Sequence, residues 1–206
     1  MAGSFKRLVA AAHEAVAYGP RIEALSKIIA RQLRETDHVL DVGCGNGRLA
    51  AACMKIVPGV DFHGLERSPR GGEPISVSRL EGDRFPFEDG AFDVVLLADV
   101  VHHEPTPDVL LKECRRVSRR LVLLKDHWHK NSFQYLRICA LDFAANYAVG
   151  VRCLYRYGTP DTWRRLVDAA GLAMLSTESP LRLYRQPFEA LFGGSLHFFA
   201  ALAPKT

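Results

Sequence analysis

Three groups of residues in this chain have the types and spacing that chemistry needs. The first is a glycine loop, Asp41-Val42-Gly43-Cys44-Gly45-Asn46-Gly47, which follows the apolar burst His38-Val39-Leu40. Glycines between a strand and a helix let a ligand approach the backbone closely. A dinucleotide fingerprint has its third glycine three positions after the second, whereas Gly47 follows Gly45 by two. The second group is acidic. Glu66 closes the stretch Val60–Glu66, where a carboxylate can accept hydrogen bonds from both hydroxyls of a ribose. Glu81-Gly82-Asp83 ends the next apolar stretch, where a carboxylate beside an exposed loop can accept from an adenine amino group.

The third group is rich in histidine: Asp99-Val100-Val101-His102-His103-Glu104 and Lys125-Asp126-His127-Trp128-His129. If the strands before them are neighbours, four of the eight histidines share one rim. Histidine titrates close to working pH, so a base paired with a carboxylate, His127 or His103 with Asp126, is the functional reading. The plain alternative is that His102 and His103 pack over a bound ligand or cap the next helix without chemistry. No metal is expected, because adjacent His102 and His103 should point in different directions and no helical His-x-x-x-His occurs.

These groups need a scaffold, and the periodicity of the chain supplies one. Apolar positions recur at helix spacing over 4–34, divided by Gly19-Pro20, and again over 48–57 and 107–117. Strand signals fall at 38–43, 60–66, 75–81, 92–100, 121–125, 172–177 and 195–203. A helix over 159–170 has Thr159 or Asp161 as its N-cap and Gly171 just beyond its end. Val94-Val95-Leu96-Leu97-Ala98 is apolar on both faces, as a central parallel strand requires. Alternating strands and helices predict one α/β domain over 1–206: a doubly wound sheet of about seven strands, the last antiparallel, with helices on both faces. Residues 1–36 form an N-terminal helical cap, in which Tyr18 and Arg21 are candidates to meet a ligand carboxylate. Residues 128–158 form a helical insertion with the position of a substrate lid, where Phe133, Tyr135, Leu136, Phe143, Tyr147, Tyr155 and Tyr157 are candidates to line a pocket; plain packing of this helix on the sheet is the alternative. Asn146 and Arg152 are its polar candidates.

Composition narrows the classes. With 48% hydrophobic and 24% charged residues the chain is ordinary for a globular enzyme. The net charge of +4 is mild, and the densest run, Arg115-Arg116-Val117-Ser118-Arg119-Arg120, lies where a helix should end, so a solvated terminus complementing the helix dipole is preferred to a nucleic-acid patch. Five cysteines without a Cys-x-x-Cys pair argue against a disulfide framework or zinc ribbon and for a reducing compartment. No signal-peptide run and no long apolar stretch is present, so no membrane partner is expected and the expected location is the cytoplasm.

Val39-Leu40-Asp41-Val42-Gly43-Cys44-Gly45-Asn46-Gly47 resembles the first motif of class I S-adenosylmethionine-dependent methyltransferases. The order Glu66, Gly82-Asp83, then Phe85-Pro86-Phe87 through Phe92-Asp93-Val94-Val95 is similar to the methyltransferase type 11 group. The resemblance implies S-adenosylmethionine as cofactor. It places Asp41, Gly43 and Gly45 at the methionine end, with Cys44 and Asn46 in the same loop, Glu66 at the ribose, Asp83 and Arg84 at the adenine, Asp99 near the sulfonium, and His102 over the cofactor. Cys44 needs no chemical role there. The expected reaction is methylation of a small-molecule acceptor at oxygen, nitrogen or carbon. Methylation of RNA or protein, or a non-catalytic adenosylmethionine-binding subunit, are the alternatives. Nucleic acid is not an expected partner, and oligomeric state is left open.

Overall fold

Side chains alternate across the central strands, and the alternation separates two cores. Leu40, Val95, Leu97, Val122 and Leu124 face one layer of helices, while Val39, Val94, Leu96, Leu121 and Leu123 face the other. All of these residues are buried, so the strands read as unbroken apolar runs, as parallel strands covered on both faces must. The computed structural model describes residues 18–146 and 153–205, with 144–146 described by backbone alone. The first part of the expected N-terminal helical region, Tyr147, Arg152 and the side chain of Asn146 lie outside the described residues.

Strand β1 (His38–Val42) is followed by β2 (Asp61–Glu66), β3 (Ser76–Arg79), β4 (Phe92–Ala98), β5 (Ser118–His127), β6 (Leu172–Glu178) and β7 (His197–Pro204). They form one sheet in the order β3-β2-β1-β4-β5-β7-β6. β1 pairs in parallel with both β2 and β4, and β4 pairs in parallel with β5. β7 runs antiparallel to β5 and β6. The expected seven-stranded sheet with an antiparallel last strand is therefore observed. Strand order reverses between β1 and β4, and in open α/β sheets the crevice beyond the carboxyl ends at such a point takes the ligand.

Helices α1 (Gly19–Ala30) and α2 (Arg48–Ile56) cover the face of Val39 and Leu96. On the opposite face lie α3 (Pro107–Val117) and, following α4 (Ser132–Asn146), α5 (Pro160–Ala169). A short α6 (Phe188–Phe192) precedes β7. Local chemistry explains the best-defined boundaries. Pro107 opens α3, where its missing N–H costs nothing. Thr159 caps α5 by accepting from the Thr162 backbone N–H at 3.2 Å, and Gly171 past its end takes a positive φ of 73°.

The arginine run keeps its expected place in part, with Arg115 and Arg116 in the last turn of α3. α3 ends at Val117, and Arg119 and Arg120 already belong to β5. Each guanidinium ties down neighbouring chain. Arg115 donates to the carbonyls of Gly171 and Lys205, Arg119 to Ala91 O and Asp93, and Arg120 pairs with buried Asp37 at 2.5 Å. Arg116 donates to Phe85 O, Phe87 O, Asp89 and Glu113 at 2.6–3.2 Å. All four arginines are thus engaged by neighbouring chain, while Arg115 and Arg119 stay exposed to solvent. Arg116→Ala strips these acceptors of their donor, and charge-assisted bonds are worth about 1.5–3 kcal/mol. A loss of about that size in urea unfolding is expected; a change near zero would show that the loop before β4 does not depend on this clamp.

Candidate active site

The glycine loop is built by backbone conformation. Gly43, Gly45 and Gly47 have φ of 67°, 58° and 68°, a left-handed region that side chains avoid. A β-carbon on Gly43 would meet Val100 Cγ2 at 2.6 Å, so close packing against the loop after β4 also demands glycine there. At Gly45 nothing lies within 4 Å of that position, and the loop presents bare backbone to the crevice. The Gly45 N–H donates to Glu66 Oε2 at 3.0 Å, which fixes the acid at the end of β2 against the loop at the end of β1. Asn46 Oδ1 accepts from Tyr18 Oη at 3.0 Å, tying the start of the helical cap to the same loop.

Asp41 is buried on β1, and its Oδ2 has no hydrogen-bond partner among the described residues. Burial, and then the charge of Glu66, push its carboxyl up to about 7. The Cys44 thiol is likewise pushed up to about 12, by burial first and then Asp41 and Glu66, which makes it a packing residue rather than a nucleophile. Beyond β3 lies a small open cleft with an apolar floor of Leu80, Phe85 and Leu110 and with Asp83, Arg67 and Glu104 beside it. Arg67 spans the cleft, donating to Glu104 at 3.1 Å and Gly82 O at 3.0 Å. Arg84 is exposed and does not line the cleft.

The cradle fits a sulfonium nucleoside in three respects. It offers bare backbone at Gly45, a carboxylate at Glu66 fixed against the loop by the Gly45 and Ser68 N–H groups, and an unsatisfied buried acid at Asp41 that a cationic ligand group would complete.

The second centre lies at the carboxyl ends of β4 and β5. Asp99 directly follows β4 with φ 59°, unusual for a residue with a side chain, and its carboxylate contacts both Arg21 and buried Lys125. Lys125 Nζ also donates to His197 Nδ1 at 3.1 Å, while His197 Nε2 donates to Phe192 O. Burial and the positive charge of Arg21 hold Lys125 well below its usual range. A 3₁₀ turn, Val101–His103, then carries two rings inward. His102 Nδ1 lies 2.6 Å from Asp126 Oδ1, and its Nε2 lies 3.6 Å from Asp142 Oδ1 on α4. His103 Nε2 lies 3.7 Å from the same oxygen, and Tyr157 Oη donates to Asp142 Oδ2 at 2.5 Å. Burial alone would lower His102, but Asp126 and Asp142 outweigh it and push the imidazole up to about 9.

The pairing differs from expectation. Asp126, expected to pair with His127 or His103, engages the His102 ring most closely. It meets His127 through that residue's backbone N–H, at 2.7 Å. The His127 ring lies 3.4 Å from Asp99 and 3.7 Å from Asp126, and burial followed by Lys125 lowers it to about 3. His102, expected over the cofactor, is clamped between two carboxylates. Arg21 meets Asp99. His102 and His103 were expected to diverge, yet the tight turn sets their ring centroids 4.0 Å apart. Of the expected pocket residues, Tyr157 joins Ile138 and Leu196 in a small buried cluster with Tyr135 against it, whereas Phe133, Leu136, Phe143 and Tyr155 are exposed.

Sequence reasoning missed Asp142 and His197. Asp142 is the one acid in the apolar helix Ser132–Asn146, a signal that was readable. His197 had none, because it enters through its register opposite His127.

Residues 40–123 match the family model described as a methyltransferase domain. An uncharacterized methyltransferase of Mycobacterium sp. (strain KMS) is 40% identical over an alignment of 88 residues that covers 39% of this chain and 34% of that protein. The chain thus spans about a third of the length of the curated relatives it matches. Among solved structures, a chain of the Haloferax volcanii complex between the Trm112 methyltransferase activator and a methyltransferase is similar with TM-score 0.67 and 15% identity, over 89% of this chain and 90% of that one. The Burkholderia thailandensis 1,6-didemethyltoxoflavin-N1-methyltransferase, solved with 1,6-didemethyltoxoflavin and S-adenosylhomocysteine, is similar with TM-score 0.62 and 18% identity, over 90% of this chain and 78% of that one. At these identities the likeness is one of fold, the Rossmann-like sheet that these structures share with this chain.

Proposed function

We propose that this chain, whose residues 40–123 match the methyltransferase-domain model, is a class I methyltransferase of the type 11 group that binds S-adenosylmethionine and methylates a small-molecule acceptor. The observation that carries the reading is the cradle of Gly43, Gly45 and Glu66 beside the unsatisfied carboxyl of Asp41. When bound, the cofactor supplies a methyl group already activated as a sulfonium. The chain's contribution is therefore binding and alignment, and orientation of reactants alone is worth roughly 7–11 kcal/mol of barrier. Glu66 holds the ribose hydroxyls, Asp41 faces the cationic methionine end, and Asp83 with the Leu80–Phe85 floor takes the adenine. An acceptor hydroxyl or acidic carbon must also shed a proton; of His103, Asp126 and His127 on the rim, His103 is the most exposed and the one placed to receive it, whereas burial and Lys125 lower His127 and Asp126 is engaged by His102.

A small acceptor is supported by the engagement of the arginine run in ion pairs and carbonyl contacts, which leaves no concentrated basic face there for a nucleic acid. Nor is any helix among the described residues long and apolar enough to cross a membrane.

Calorimetry with S-adenosylhomocysteine and with NAD tests the cofactor; heat with NAD alone would overturn the reading. Glu66→Ala removes charge-assisted hydrogen bonds worth about 1.5–3 kcal/mol, so affinity for S-adenosylhomocysteine should fall roughly 10- to 100-fold. Incubation with labelled methyl donor then separates the acceptors. Label entering a metabolite fraction supports this proposal, and label entering bulk tRNA in a salt-sensitive manner would replace it.

A further inference from the structure

We propose that His102, His103 and Asp142 form a binding site for one divalent transition-metal ion on the rim of the crevice, and that the methyl acceptor presents an oxygen donor to that ion. The second half rests on the methyl-transfer reading above; the first does not.

The argument begins with a tautomer. His102 Nδ1 is 2.6 Å from the Asp126 carboxylate, so this nitrogen keeps its proton, and Nε2 is the one that would exchange its proton for a metal ion. His102 Nε2 is buried, with the side chain 1% exposed, and makes no hydrogen bond. It faces Asp142 Oδ1 at 3.6 Å, and His103 Nε2 faces the same oxygen at 3.7 Å. Both separations are too long for hydrogen bonds. They approach the spacing of neighbouring ligands on one ion, since bonds of about 2.1 Å set donor atoms roughly 3.0–3.4 Å apart. One ligand atom from each of the three residues lies within 4.8 Å of the others.

The surrounding groups match what metal sites require of their outer shell. A carboxylate, Asp126, holds the distal nitrogen of His102, and Tyr157 Oη holds the second oxygen of Asp142 at 2.5 Å. Two imidazoles and one carboxylate suit a first-row divalent ion and leave coordination positions for an incoming ligand. An acceptor hydroxyl or enol bound there would lose its proton more readily and be held in place for attack. A second grouping, Asp99, His102, Asp126 and His127, is less suited. Its Asp99 is already matched by Lys125 and Arg21, and Asp126 Oδ1 is occupied by His102 and the His127 backbone.

The test uses the full chain without an affinity tag, stripped with a chelator and titrated separately with Co²⁺ and Zn²⁺ by calorimetry and by the visible spectrum of bound Co²⁺. One ion per chain is expected. Asp142→Asn and His103→Ala should each weaken binding at least tenfold, and Asp126→Asn about 10- to 100-fold, with unchanged circular dichroism. Should Asp142→Asn unfold, the partly exposed His103 decides. Adding acetohydroxamate, an oxygen-donor probe, should shift the Co²⁺ spectrum; no shift overturns the acceptor half. The site itself is overturned if wild type takes up neither ion, or if the folded variants bind as tightly as wild type. S-adenosylhomocysteine is titrated in parallel. Binding of it without metal uptake sinks only this inference, and metal uptake without it sinks only the methyl-transfer reading.

Discussion

Asp126→Ala lowers the unfolding free energy by about 3–5 kcal/mol, the range seen when one partner of a buried ion pair is removed. Asp126 is fully buried, and its Oδ1 serves both the His102 ring and the His127 backbone N–H. Removing it leaves two buried donors without an acceptor and His102 facing Asp142 alone. Asp126→Asn keeps the shape and one acceptor oxygen but not the charge, so it should recover part of the loss. Chemical denaturation of the two variants beside wild type measures both effects. A loss below about 1 kcal/mol in the alanine variant would show that His102 is not held as half of an ion pair.

Asp41→Asn should act in the opposite direction on stability and still impair binding. In the folded chain the Asp41 carboxyl is raised to about 7 from an ordinary value of 3.8, first by burial and then by Glu66. A raised acid keeps its proton in the folded state while the unfolded chain releases it. No penalty exists below about pH 4; from there stability falls as pH rises, and it levels off above about pH 7. Three pH units correspond to about 4 kcal/mol. The ligand-free asparagine variant should therefore show a flatter stability–pH curve between those limits and a higher midpoint at pH 8, together with weaker binding of S-adenosylhomocysteine. A variant no more stable than wild type at pH 8 would mean that the buried carboxyl already has a cationic neighbour in the ligand-free protein. The site thus stores an unfavourable charge that a cationic ligand relieves, a common cost of binding sites.

Much of the scaffold was legible because its determinants are close together in the chain. The apolar run from Val94 to Leu97 required a buried central strand, and Leu110, Leu111, Cys114 and Val117 required one apolar helix face. Thr159 with Pro160 and Gly171 bracketed α5 through capping and positive φ, which act over three or four residues. The glycine loop and Glu66 were legible for the same reason: backbone freedom and an acid at a strand end are local properties, and their order along the chain carries the resemblance.

What only the tertiary structure decided was which polar groups face one another. His102 rather than His103 or His127 meets Asp126, because one 3₁₀ turn after β4 rotates the two rings inward together. Asp142 joins them from α4, and His197 arrives through antiparallel register beside His127. The arginines after Glu113, which resemble a charged helix end when read in sequence, pair with Asp37, Asp89 and Asp93, which lie far from them along the chain. The physical reason is one of range. Torsional preference and burial periodicity are set by a residue and its near neighbours, whereas an ion pair depends on a few ångströms of separation between elements whose distance in sequence carries no information about it.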